Sequence, residues 1–195
     1  MLSIHEFLQQ LFPTLSATTA QFIEEKIQVL HFKNNEVAIR PGAVCDRVYL
    51  VVQGGFVCRY INESTETEKT INFYLEDIHP FMACVDSFFS QKPTSCELRA
   101  ICPSTVWALH RKDLDQLFEM DKEIFNFYNA QVISALTEEN ELKLKIIALP
   151  SEELYKYIMN TFPMVIKKVP SKYIAELMGI SAEWLSKLKR VTRWP

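Results

Sequence analysis

Near its C-terminus the chain reads Ser171-Lys172-Tyr173-Ile174-Ala175-Glu176-Leu177-Met178-Gly179-Ile180-Ser181-Ala182-Glu183-Trp184-Leu185-Ser186-Lys187-Leu188-Lys189-Arg190, a spacing that predicts two short helices crossing through a tight turn. Ile174, Met178, Ile180, Leu185 and Leu188 recur where such a pair needs a shared apolar core. Ala175 is small where the second helix must pass close by. Gly179 stands where the turn needs a positive φ that a Cβ would strain. Pro170 suits the start of the first helix, and Ser181 is placed to cap the second. This leaves Ala182, Glu183, Ser186, Lys187, Lys189 and Arg190 on the outer surface of the second helix, the element that enters a DNA major groove in a helix-turn-helix unit. Trp184 either braces the two helices or contacts a sugar or a thymine methyl.

Charge points the same way. The net charge is −3, but from Lys167 to Arg193 seven bases face two acids, a net +5, while residues 1–166 hold fourteen bases against twenty-two acids, a net −8. A basic module on an acidic body suits a polyanion, because neutralising phosphates releases condensed counterions. The alternative is a solvated lysine-rich tail. The 195 residues are 48% apolar and 23% charged, a globular balance that excludes wholesale disorder. An apolar run such as Val48 to Val52 is far too short to span a membrane, and the N-terminus shows no basic leader. Five cysteines (Cys45, Cys58, Cys84, Cys96 and Cys102), without a C-x-x-C pair, suggest a reducing cytoplasm. Four glycines cannot assemble a phosphate loop, and His5, His31, His79 and His110 stand apart, so neither a metal site nor catalytic residues are expected.

The remaining chain predicts an α+β protein. Ile4, Leu8, Leu11 and Phe12 give a helical face, and Phe22, Ile23, Ile27 and Leu30 continue one beyond Pro13. From Lys33 to His110 the period falls to two, with short strands expected at 36–40, 47–52, 56–61, 69–75, 96–101 and 105–109, separated by Pro and Gly turns. That pattern predicts an antiparallel, jelly-roll-like β-roll with flanking helices. Leu114, Leu117 and Phe118 give a short helix, and Asp121 to Ile147 a long one. In the long helix Phe125, Tyr128, Val132, Ala135, Glu139, Leu142 and Ile146 step by three and four, the seam of a dimerising coiled coil. Ile124, Phe127, Ile133, Leu136, Leu144 and Ile147 would then cover the β unit. Ser151 is read as the cap of the next helix, Pro163 as its stop, and Met164-Val165-Ile166 as a strand or linker. The expected divisions are a sensor roll over 1–120, a dimerisation helix over 121–148 and a helix-turn-helix domain over 149–195.

A β-roll, a long helix and a terminal helix-turn-helix in this order resemble the Crp/Fnr family of bacterial transcription regulators. Arg40-Pro41-Gly42, Val48 to Gly54, Val57-Cys58-Arg59-Tyr60 and Val169 through Leu188 carry the resemblance. The short end, with little room after Arg193 for a β-wing, is similar to short members found in Bacteroidetes. The resemblance implies a homodimer on double-stranded DNA, a small-molecule effector, and RNA polymerase as a further partner. Ser171, Lys172, Ser186, Lys189 and Arg193 would hold phosphates, Ser181, Ala182 and Trp184 would lie at the interface, Lys187 and Arg190 would read guanine, and Glu183 a cytosine amino group. Members that bind a cyclic nucleotide carry a Phe-Gly-Glu-Leu run and a later Arg-Ser/Thr-Ala run. Here Ala83, Cys84 and Val85 follow Phe81-Met82, and Thr94-Ser95 carry no arginine, with Arg99 too late to serve. The pocket is therefore expected to be degenerate and not to bind cyclic AMP, with Phe73, Phe81, Cys84, Val85, Phe88 and Phe89 either walling an apolar site or filling a core. Cys84 is read as a redox-sensitive thiol or a small hydrophobe. The rival reading is a ligand sensor or interaction module with weakened DNA binding.

Overall fold

The computed structural model describes residues 3–65 and 67–191. Ser3 opens α1 (Ile4–Leu11) with a capping box: its hydroxyl accepts from the Glu6 N–H, and Glu6 accepts from the Ser3 N–H at 2.7 Å. Ser16 caps α2 (Ala17–Lys26) by accepting from the Thr19 N–H. The helical face does not continue to Leu30 as expected. Ile27 is extended, and Gln28–Phe32 forms β1, drawn into a sheet by β8 (Ser104–His110) from Gln28 opposite Ala108 to Phe32 opposite Ser104.

Two antiparallel four-stranded sheets make the β-roll. One runs β1-β8-β3-β6, with β3 at Arg47–Gln53 and β6 at Phe81–Met82; the other runs β2-β7-β4-β5, with β2 at Val37–Ile39, β4 at Gly55–Asn62, β5 at Thr67–Leu75 and β7 at Cys96–Ala100. Alternation sends Phe56, Cys58, Tyr74, Leu98 and Ala100 inward to meet Tyr49, Val51, Met82, Val106 and Ala108 of the facing sheet. Gly54, at φ +87°, turns β3 into β4, where an added Cβ would lie 2.8 Å from the Pro103 carbonyl oxygen and 2.9 Å from Ser104 Cα.

After α3 (Val85–Ser90) and α4 (Arg111–Met120), Asp121 caps the 27-residue α5 (Lys122–Ala148) by accepting from the N–H groups of Glu123 and Ile124. The faces of α5 differ from expectation. Tyr128, Leu142 and Ile146, placed on the seam, pack against the chain's own cores, whereas Ile133 (64% exposed), Leu136 (65%), Leu144 (57%) and Ile147 (74%) stand in solvent. Only Ile124 and Phe127 of the set expected to cover the roll do so. With apolar residues on both sides of α5, the three-four spacing alone cannot say which stripe turns inward.

The chain ends in α6 (Ser151–Thr161), α7 (Pro163–Lys168), α8 (Ser171–Met178) and α9 (Ala182–Val191). Ser151 is the first helical residue rather than a side-chain cap, and Met164-Val165-Ile166 is helical. Pro163 both stops α6 and opens α7, since a missing N–H and a fixed φ suit a first helical position. A second core joins these helices to the outer face of the second sheet: Val57, Phe73, Leu75 and Ile101 meet Leu154, Ile158, Val165, Tyr173 and Ile174. No helix of the described residues is long and apolar enough to cross a membrane.

Two glycines rank by this geometry. Gly179→Ala meets open space at φ +66° and should cost about 1–2 kcal/mol of left-handed strain, whereas Gly54→Ala adds a backbone clash and should cost more. Denaturant midpoints at unchanged m-value check the order.

Candidate nucleic-acid interface and effector groove

The turn between α8 and α9 forms as its glycine predicts. Gly179 is left-handed and donates to the Glu176 carbonyl at 3.2 Å, while the Ile180 N–H reaches the Ala175 carbonyl at 3.0 Å, closing a Schellman motif. Ser181 accepts from the Trp184 N–H at 3.1 Å and starts α9. Leu185 and Leu188 are buried, which turns Ala182, Glu183, Ser186, Lys187 and Arg190 to solvent. Hydrogen bonds from its own N–H and from the Ser181 hydroxyl hold the Glu183 carboxyl below the usual range, so it stays an acceptor at neutral pH. Trp184 braces: its Nε1 donates to Ser151 Oγ at 2.9 Å, tying α9 to the start of α6. Lys189 Nζ donates to Ser171 Oγ at 2.6 Å, and Lys172 lies 4.5 Å from the Tyr173 ring centre. Lys168, one of the seven bases of the tail, is spent internally on Glu76 and Asp77. Arg193 lies outside the described residues.

What sequence reading missed is how α8 is held. Arg59, on the outward face of β4, is 8% exposed and is ringed by Glu68 at 2.6 Å, Glu176 at 3.3 Å and Glu97 at 3.6 Å. Thr70 donates to the same Glu176 at 2.7 Å, and the Arg59 guanidinium stacks 5.5 Å from the Tyr173 ring centre. A basic residue at an outward strand position with an acid on the first helix of the pair was the available signal. Strand register, which a sequence does not print, is what brings them together.

A groove of about 590 Å³ opens between the roll and α5. Phe81, Ala83, Val85, Phe88 and Phe89 wall it, with Tyr128, Val132 and Ala135 of α5 opposite. Phe73 does not line it, because strand alternation turns it to the second core. Cys84 and Thr94 are buried in the roll, and Ser95 is exposed with its carbonyl bound to the Ile61 N–H. Among the described lining residues there is no lysine or arginine; the charged ones are Asp77, Glu138, Glu139 and Glu141, with His79 at 3.4 Å from Glu138. Glu139, at a seam position, bonds instead to Asn72 of β5. Arg99 grips Glu97 with two bonds of 2.7 Å and donates to the Asn35 carbonyl, so it is committed to the outer face of β7.

Residues 29–121 match the family model of the cyclic nucleotide-binding domain. FixK2 from Bradyrhizobium japonicum superposes with a TM-score of 0.70 at 14% identity, over 85% of this chain and 83% of that one. CLP from Xanthomonas campestris, described as a c-di-GMP-responsive global regulator, gives 0.68 at 15% identity over 90% and 91%. A protein from Eubacterium rectale described as a transcriptional regulator of the Crp/Fnr family gives 0.68 at 14% over 93% and 85%. No curated protein matches the sequence significantly. Most of the β-roll is therefore similar to the cyclic nucleotide-binding domain. Roll, long helix and helix-turn-helix together share the fold of these solved structures.

Among its described lining residues the groove offers no lysine or arginine to a cyclic phosphate. A buried phosphate needs a cationic or N–H partner, and this lining offers carboxylates. Thermal-shift measurements with cyclic AMP and cyclic GMP should show no displacement at micromolar nucleotide; a clear rise in melting temperature contradicts this.

Proposed function

We propose that this protein is a DNA-binding transcription regulator that acts as a homodimer in the cytoplasm, without cyclic AMP and without catalytic activity. The observation that carries the reading is α9: its inner face is locked by Leu185, Leu188 and the Trp184–Ser151 bond, while Lys187, Arg190, Glu183 and Ser186 face solvent on one outer surface. That is the arrangement a major groove requires of a recognition helix. Lys187 and Arg190 are assigned to guanine O6/N7 and Glu183 to a cytosine amino group, with Ser171, Lys172, Ser186 and Lys189 on phosphates.

The solvent-facing stripe of Ile133, Leu136, Leu144 and Ile147, with Phe125 and Val132 beside it, supports dimerisation through α5. Scattered exposed apolar residues need no explanation, but a stripe at helical spacing on one long helix does. A twofold axis along α5 would set two recognition helices over half-sites about 34–36 Å apart. Any effector would enter the acid-lined groove, and RNA polymerase would be met on DNA.

Selection from random duplexes with the purified protein alone should return an inverted repeat. Lys187→Ala should weaken binding to that site by ~1–3 kcal/mol and relax one base preference. A gel-shift series at fixed salt in which Lys187→Ala binds as the parent removes its base-reading role. A flat salt dependence on random duplex instead favours the interaction-module reading, since phosphate neutralisation must appear as a negative slope.

A further inference from the structure

Four cysteines gather in the roll. Cys96 on β7 and Cys58 on β4 lie on the inward face of neighbouring strands, one diagonal step apart, because Cys96 pairs with Tyr60 and Cys58 with Leu98. Cys45, Cys58 and Cys84 lie together in the first core with Cys96 packed against it, near enough for the thiols to perturb one another's ionisation. Cys45, Cys58 and Cys84 are buried, whereas Cys96 is only half-buried and forms the side of the cluster open to small solutes. All are free thiols, and among the described residues no three ligating side chains are disposed to hold a metal ion. The neighbouring Cys58 thiol holds the Cys96 thiol below its ordinary range, which favours the nucleophilic thiolate.

The same two strands carry the seat of α8 on their other face. Arg59 follows Cys58, Glu97 follows Cys96, and Arg59 and Glu97 are paired in register. Diagonal neighbours of this kind have Cα atoms about 7–8 Å apart, at the limit a disulfide spans without backbone movement. The bulge beside this pair lies on β5, where Ile71 is the extra residue between Asn72 opposite Cys58 and Thr70 opposite Arg59, whereas β4 and β7 stay in continuous register. Any bond that draws Cys58 and Cys96 together must move Arg59 and Glu97.

We propose that Cys58 and Cys96 form a redox site: a hydroperoxide oxidises Cys96, Cys58 closes a disulfide onto it, and the strain displaces the Arg59–Glu97 pair and with it the Arg59–Glu176 contact that holds α8. In the first step the Cys96 thiolate attacks the terminal peroxide oxygen; the O–O bond breaks, a sulfenic acid forms, and the alkoxide or hydroxide leaves and takes up a proton. In the second the Cys58 sulfur attacks the Cys96 sulfur; the S–O bond breaks and water leaves with the Cys58 proton. A dithiol reverses both by exchange. Disulfide formation stands alone, while its effect on DNA rests on the function proposed above.

The test uses the reduced full chain and hydrogen peroxide. Alkylation should show two thiols lost, peptide mapping a Cys58–Cys96 crosslink, and binding to the selected duplex a several-fold fall that dithiothreitol restores. Cys96→Ser should keep its thiols and its affinity under peroxide, and Cys102→Ser, outside the cysteine cluster, should behave as the parent. A crosslink between other cysteines, or sulfinic acid at Cys96 with no crosslink, overturns the dithiol assignment. A Cys58–Cys96 crosslink with unchanged affinity overturns the coupling to α8. Reduced protein that binds no duplex counts against the proposed function and leaves the crosslink to stand or fall on mapping.

Discussion

Arg59 sits nearly buried between a β-strand and the first helix of the helix-turn-helix, and the arrangement of the molecule depends on the carboxylates gathered around it. Burying a guanidinium costs several kcal/mol of hydration, which three acids and a tyrosine face roughly offset. The net stabilisation comes from the apolar contacts alongside. Burying side chains the size of Leu, Ile or Val contributes about 1.5–3 kcal/mol each, and Val57, Phe73 and Leu75 of the roll meet Tyr173 and Ile174 of α8. The ion cluster supplies orientation instead: a carboxylate misplaced from Arg59 leaves a buried charge unpaired, so one pose of α8 is far better than its neighbours. Because α9 is bound to α8 through the Gly179 turn and to α6 through Trp184, fixing α8 aims the cationic surface of α9.

The sequence shows best what local chemistry decides. The helix-turn-helix was legible because a small residue, a positive-φ glycine, a capping serine and five apolar positions all fall within twenty residues. The strands 47–53 and 55–62 announced themselves by alternation, bounded by the Gly54-Gly55 turn. What failed was decided by partners distant in the chain. Gln28–Phe32 reads equally as helix until β8 pairs with it, and α5 carries apolar residues on both sides, so only the packed structure shows that Leu142 and Ile146 turn inward while Leu136 and Ile147 turn out. Phe73 was placed in the effector site on composition, and its parity on β5 sends it to the opposite face.

The groove shows the same dependence of chemistry on position. Its aromatic floor was legible in Phe81, Phe88 and Phe89, but its charge was not, since Glu138, Glu139 and Glu141 come from α5 and Asp77 from the turn after β5. Cys84 and Thr94 are buried beneath the surface, and neither lines the groove. The inward face of β4 and β7 thus carries thiols while the outward face carries the Arg59–Glu97 pair, and the two are joined by the same peptide bonds.

Native-state hydrogen exchange measures directly whether α8 and the second sheet form one cooperative unit. The interior amides of Ile174 to Met178 should exchange through the same opening free energy as those of β4 and β5, and both should fall together when Glu176 is replaced by Gln. Exchange of α8 through a much smaller opening that leaves β4 and β5 protected would contradict it, because the helix-turn-helix would then be a tethered module whose aim the roll does not set.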